Sequence, residues 1–254
     1  IAGLLALPAP NTAALTRLAP RLAPAFDAGL CPPPHPTALD LLAAIGELRD
    51  LLTDLIDTHH RHPGTGLAAD LLRAAAETPT AHADALAGCL LAALSIETTA
   101  NLICNAANAL LDHPGQWRRL RDDPDLAPRV VEETLRHDPP IRLESRIAHT
   151  DLTLAGQHIT AGSHLVICVE AANRDPAAHP DPDRFTLDRH GEPGHLALTP
   201  RTAAGLTAPL TRLLTETALR ALATRLPTLR RTAPVLHRMR APVTHGVLRF
   251  PATS

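Results

Sequence analysis

The chain has 254 residues, 45% of them hydrophobic and 20% charged, with a formal net charge of −2. This supplies enough apolar residue to bury a substantial core and excludes a disordered chain. With 24 basic residues against 26 acidic ones, and Phe26, Phe185, Phe250 and Trp117 as the whole aromatic complement, there is neither a basic stripe nor a stacking platform for nucleic acid.

Leu41, Leu42, Ile45, Leu48, Leu52, Leu55 and Ile56 recur at three- and four-residue spacing and predict an amphipathic helix over 37–60, stopped by Pro63-Gly64. A short helix is expected over 67–76 and a long central one over 81–112, ended by His113-Pro114-Gly115. Further helices are expected at 116–121 and 125–137, with Pro128 near the first turn of the second and Pro139-Pro140 beyond its end. Short runs at 147–154, 157–159 and 164–169, separated by Gly156 and Gly162, predict a small antiparallel sheet. Residues 173–200 are rich in Pro, Asp, His and Gly without a period, and predict an ordered irregular segment. Helical spacing returns over 208–226 through Leu210, Leu213, Leu214, Ala218, Leu222 and Leu226, and weak strands come after it near Leu229 and Val247. This order excludes a βαβ alternation, so the expected class is mainly α with small β-sheets, in a single domain over 1–254.

Cys31, Cys89, Cys104 and Cys168 show no C-x-x-C spacing, which suits free thiols in a reducing cytoplasm. The apolar run over 81–111 is interrupted by Ser95, Glu97, Thr98, Thr99, Asn101, Asn105 and Asn108, so no membrane helix is expected. The chain opens at Ile1 with its one methionine at Met239, and the natural start is expected to lie outside it. All its basic side chains besides His are Arg, a bias that, with the abundance of Ala, Pro and Leu, suits GC-rich coding as in actinomycetes.

Three constellations carry polar chemistry. Glu133 and Arg136 are three apart and share a helix face; a pair of this kind is most often a solvated bridge worth about 0.3–0.5 kcal/mol. Glu97-Thr98 sets an acid beside a hydroxyl among Ala, Leu and Ile, where a buried carboxylate must find partners or take up a proton. The alternative there is a polar stripe with Asn101, Asn105 and Asn108 that satisfies itself. Asn173-Arg174-Asp175-Pro176 and Asp181-Pro182-Asp183-Arg184-Phe185 read as turns whose arginines tie a coil to helix ends and carbonyls. His59, His60 and His62 cluster at a helix end without metalloprotease spacing and are expected to be solvated.

In order and spacing, these segments resemble the C-terminal part of bacterial cytochromes P450. Glu133 to Arg136 resembles the E-x-x-R motif, 173–185 the meander after it, and His195-Leu196-Ala197 the lead into the haem loop. The family's F-G-x-G-x-H-x-C-x-G falls on Leu198-Thr199-Pro200-Arg201-Thr202-Ala203-Ala204-Gly205-Leu206-Thr207, so Gly205 stands at the cysteine position. On the long helix the family's A-G-x-E-T reads Leu94-Ser95-Ile96-Glu97-Thr98.

The resemblance implies a P450-like fold whose N-terminal portion lies outside this chain. It also implies loss of the axial thiolate, and with it of oxygenase chemistry. Glu97 and Thr98 would then be relics or core hydrogen-bonders, and Glu133 and Arg136 a structural motif. Haem-free members of this family are P450-derived activators of glycosyltransferases that attach deoxysugars to polyketide aglycones such as macrolides. By that resemblance the chain is expected to be a non-catalytic auxiliary protein that binds and activates or stabilises a glycosyltransferase, without haem or other cofactor, metal, nucleic acid or membrane. The alternatives are a P450 monooxygenase with an unusual or lost haem ligand, and a small-molecule binding protein using the emptied pocket.

Overall fold

The computed structural model describes residues 1–62, 64–76, 78–189, 194–199, 203–238 and 241–254, excluding the side chains of 203 and 204. The chain divides into two compact units, one of residues 1–28, 32–98 and 200–211, the other of 29–31, 99–199 and 212–254.

The first unit is helical. Helix α1 (Ala9–Leu22) has a proline in its first turn and a second, Pro20, near its end. Four prolines at positions 8, 10, 20 and 24 mask its period, so the sequence alone does not assign it. It buries Leu15, Leu18 and Leu22 against Leu41, Ala44, Leu48, Leu52, Leu55 and Ile56 of α2 (His35–Arg61), in a cluster that Ala68 of α3 (Leu67–Ala74) and Ala85, Cys89 and Ala93 of α4 (Ala81–Asp112) complete. The buried residues of α2 keep the predicted spacing, except that Leu42 and Ile45 are exposed. Gly88 of α4 lets α3 approach: a Cβ there would lie 2.7 Å from the Leu71 side chain. On the surface, Arg21 of α1 bridges Asp40 and Glu47 of α2.

By length and composition α4 could cross a bilayer. However, 44% of its most apolar window is already buried inside the protein, and Ser95, Thr98, Thr99, Asn101 and Asn105 are among its buried residues. A core helix has this character: five of the seven polar interruptions that argue against a span in the sequence are packed inside, and Glu97 and Asn108 are half-buried.

The second unit takes Leu102, Ala106 and Leu110 from the rest of α4, all of them buried, and contains α5 (Pro114–Asp122) and α6 (Ala127–His137), both of which begin with a proline in the first turn. Proline suits that position because its missing N–H has no partner to lose. The single sheet expected at 147–169 is two separate hairpin ladders. Strand β1 (Leu143–Ile147) pairs antiparallel with β4 (His164–Cys168), from Leu143 opposite Cys168 to Ile147 opposite His164. Between them β2 (Leu152–Leu154) pairs with β3 (Gln157–Ile159). The predicted run 147–154 is broken because Ala148 ends the first ladder and the Asp151 carboxylate accepts the Ala161 N–H at 2.7 Å, turning the chain. Two further ladders pair β5 (Arg230–Arg231) with β8 (Ala252–Thr253) and β6 (Leu236–His237) with β7 (Val247–Arg249).

Short helices α7 (Val169–Ala172) and α8 (Ala203–Leu206) precede α9 (Ala208–Arg225). The period of α9 is displaced from the one expected. Its buried stripe is Ala208, Thr211, Thr215, Leu219 and Ala223, while Leu213 is exposed, because the two buried threonines hide part of the inward face from a reading based on apolar residues.

Candidate functional site

Helix α6 has its apolar face buried through Val130, Val131 and Leu135, and its last two turns also place Glu133 and Arg136 inside. The pair is not the solvated bridge that such spacing usually makes: the side chains are 5% and 4% exposed. Arg136 grips the carboxylate at two points, Nε to Oε2 at 2.8 Å and an Nη to Oε1 at 2.9 Å. Its remaining N–H groups donate to the carbonyls of Asn173, Pro182 and Arg184, at 3.1, 2.8 and 3.2 Å. All five guanidinium donors are thus used.

The coil after α7 explains why so much donor capacity is needed there. A segment without a ladder leaves its carbonyls unpaired unless side chains reach them. Arg189 repeats the device, donating to Glu133 Oε1 at 3.2 Å and to the carbonyls of Pro180, Asp181 and Arg184, and the Thr186 N–H donates to the same Oε1 at 3.0 Å. Around them Arg174 donates to the His137 carbonyl, and Phe185 is buried between the rings of His113 and His137. Burial, Arg174 and Arg136 together lower the pKa of His137, whose Nε2 donates to the Asp183 carbonyl as a neutral ring can.

A second cluster fastens the chain beyond this coil. Asn173, fully buried, donates from Nδ2 to the Leu135 carbonyl at 3.1 Å and accepts the Leu196 N–H on Oδ1 at 2.8 Å. Glu132, one residue before Glu133 and therefore rotated to a different face of α6, accepts from His195 Nε2 at 2.8 Å and from Arg212 Nε at 2.6 Å. Burial opposes ionisation of Glu132, but those two hydrogen bonds outweigh it and hold the carboxyl down at about 2. One helix therefore anchors residues before and after the 198–207 segment.

Comparison with known proteins places this arrangement. A cytochrome P450 family profile matches residues 122–195, the stretch from the end of α5 through the Glu133–Arg136 network to His195. The structure of Mycobacterium smegmatis CYP164A2 with econazole bound superposes on all of this chain, with a TM-score of 0.86 and 35% identity. The chain has the fold of the cytochrome P450 superfamily. Protein AknT of Streptomyces galilaeus is 45% identical over 255 residues and Protein DesVIII of Streptomyces venezuelae 39% over 253, both matching the whole chain. The chain spans only 57% and 56% of those two relatives, and 64% of the CYP164A2 structure.

In this P450 frame the residues singled out in the sequence separate. Glu133, Arg136 and the coil at 173–185 come together as one network. On α4, Thr98 is buried and Glu97 half-buried; Leu94 packs against the core of the first unit, and the buried Ser95 hydroxyl turns back to the Ala92 carbonyl at 2.7 Å. Gly205 lies buried in α8, and Leu198 is buried with a positive φ of 53°. The substitutions at 200–202 and the side chains of 203 and 204 lie outside the described residues. His60 and His62 are exposed as expected, whereas His59 is half-buried with its Nδ1 buried and without a hydrogen-bond partner. Among the described residues no group of three His, Cys, Asp or Glu could hold a metal ion.

Sequence reading missed Arg189, the Asn173 side chain and the Glu132–His195–Arg212 cluster. Asn173 and Glu132 stand inside the recognised motifs, but nothing local marks their long-range partners. Arg189 had one available signal, an arginine closing the Pro- and Asp-rich coil.

Proposed function

We propose that the chain is a non-catalytic, P450-like auxiliary protein that binds a glycosyltransferase attaching a deoxysugar to a polyketide aglycone and activates or stabilises it. The observation that carries this reading is a contrast. The Glu133–Arg136–Arg189 network is complete, whereas the position that the haem-loop motif assigns to the axial thiolate is Gly205. Selection for haem chemistry keeps both features; selection for a surface carried on the same scaffold keeps only the first. The similarity to Protein AknT and Protein DesVIII over the whole chain supports the same direction.

The donors present do not fit the family's haem. Its iron takes an axial thiolate, and glycine offers no ligand atom. Cys89 is buried in α4 with its thiol pushed up by burial to about 11, far from ready ionisation, Cys104 is half-buried on the same helix, and Cys31 and Cys168 are exposed. No oxygen-activation step is therefore assigned to Glu97 or Thr98.

An activator acts by binding the active state of its partner more tightly than the inactive one, and a stabiliser by binding the folded partner and not the unfolded one. Both predict a complex whose formation raises the glycosyltransferase's turnover or midpoint temperature. The test is co-expression of the protein with a polyketide glycosyltransferase from the same organism, then co-purification and assay of sugar transfer with and without it. Joint elution with increased transfer is expected. A separate elution with unchanged transfer, or a thiolate-type Soret band in the reduced protein under carbon monoxide, would overturn the proposal.

A further inference from the structure

In the second unit, away from the Glu133 network, two histidines lie face to face. His237 in β6 and His245, just before β7, have ring centroids 4.0 Å apart and planes inclined by 17°. His245 Nδ1 is 2.6 Å from the carboxylate of Asp138, the residue that caps the C-terminal end of α6. A carboxylate accepts, so that nitrogen carries the proton. The Nδ1 of His237 is buried and has no hydrogen-bond partner.

The backbone around the stack joins the same pieces. Ile141 and Thr244 form an antiparallel bridge, the Arg142 N–H donates to the Val243 carbonyl at 2.7 Å, and the His245 N–H donates to the Pro140 carbonyl at 3.1 Å. Within the hairpin the Arg238 N–H donates to the Gly246 carbonyl at 2.9 Å. The stack therefore sits where the β6–β7 hairpin is fastened to the segment that leaves α6.

We propose that the His237–His245 stack on Asp138 is a proton-sensitive clasp that holds the β6–β7 hairpin to the end of α6 while His237 is neutral and releases it when His237 is protonated. An imidazolium must donate from both nitrogens, and the buried Nδ1 of His237 faces no acceptor. A charge on that ring would also lie directly against the ring of His245. Of the charged groups around it, Asp138 favours a charge on His237 and Arg142 opposes one; Glu170, 3.5 Å from Arg142, partly offsets the latter. The net result is a lowered His237 pKa, caused first by burial and then by His245. A group whose folded pKa is depressed contributes stability that is present above its unfolded value near 6.5 and lost as pH falls below it.

The experiment is amide hydrogen exchange on the intact protein from about pH 7.5 to 5, corrected for intrinsic rates and measured at Arg142, Arg238 and His245, with α5 amides as the internal reference. Protection of the three amides should fall by up to about tenfold per pH unit below 6.5 while α5 is unchanged. In His237→Phe, which keeps a ring and cannot titrate, the slope should vanish. Should that variant misfold, NMR titration of the wild-type His237 ring decides: its midpoint must lie below 6.5 and track the loss of protection. Equal slopes in wild type and variant, or a His237 that titrates with no change in protection, would overturn the clasp.

Discussion

Arg136 meets Glu133 through two parallel N–H···O contacts of 2.8 and 2.9 Å, one turn apart on α6, with both side chains almost wholly removed from solvent. Because the guanidinium also satisfies three carbonyls of the coil, the pair is a junction through which a helix end organises a segment that has no ladder of its own.

Removing one partner of such a pair leaves an uncompensated buried charge. Arg136→Ala should destabilise the protein by about 3–5 kcal/mol. Arg136→Lys should recover little of that loss, since an ammonium cannot reproduce the fork. Arg49→Ala, at an exposed pair with Asp50, should cost less than about 1 kcal/mol. Urea denaturation of the three variants gives the comparison, and an Arg136→Lys protein as stable as wild type would contradict the junction.

Asn173→Ala deletes the acceptor of the Leu196 N–H and the donor to the Leu135 carbonyl at a fully buried site. A loss of about 1–3 kcal/mol is expected. The Leu196 amide should also exchange faster than amides in the middle of α6, which distinguishes local release from global loss of stability.

Glu132 ionises with a pKa near 2 in the folded chain against an ordinary 4.5. The sign is that of a depressed carboxyl: its contribution is present above about pH 4.5 and is lost as pH falls toward 2. Half of the side chain is exposed, so screening should keep that contribution below about 1 kcal/mol. Glu132→Gln should shallow the acid limb of a stability-against-pH curve between those values and leave the region near pH 7 displaced by a constant amount.

The thiols should divide by environment. Cys31 and Cys168 are exposed, while Cys89 is buried and held up near 11. Alkylation at pH 8 with peptide mass spectrometry as the readout should label the first two quickly and Cys89 only after denaturation. Rapid labelling of Cys89 in the native protein would show that the core around α2 and α4 opens readily.

Much of this architecture is legible in the chain. The apolar spacing of Leu41, Leu48, Leu52 and Ile56 marks α2 because burial on one side of a helix imposes its own period. His113-Pro114-Gly115 marks the end of α4 because proline cannot continue the ladder. The resemblance at Glu133 and Arg136 points to the network, and the structure adds that the pair is buried.

The information readable along the chain is therefore local: the helix periods, the proline and glycine stops, and the absence of a side chain at Gly205. It took the folded arrangement to show that Arg189 joins Glu133 across 56 residues, that Glu132 fastens both His195 and Arg212, and that His237 lies against His245 on Asp138. A helix period is written in neighbouring residues, whereas the partner of a buried charge or an orphan carbonyl is whichever donor the rest of the chain carries to it.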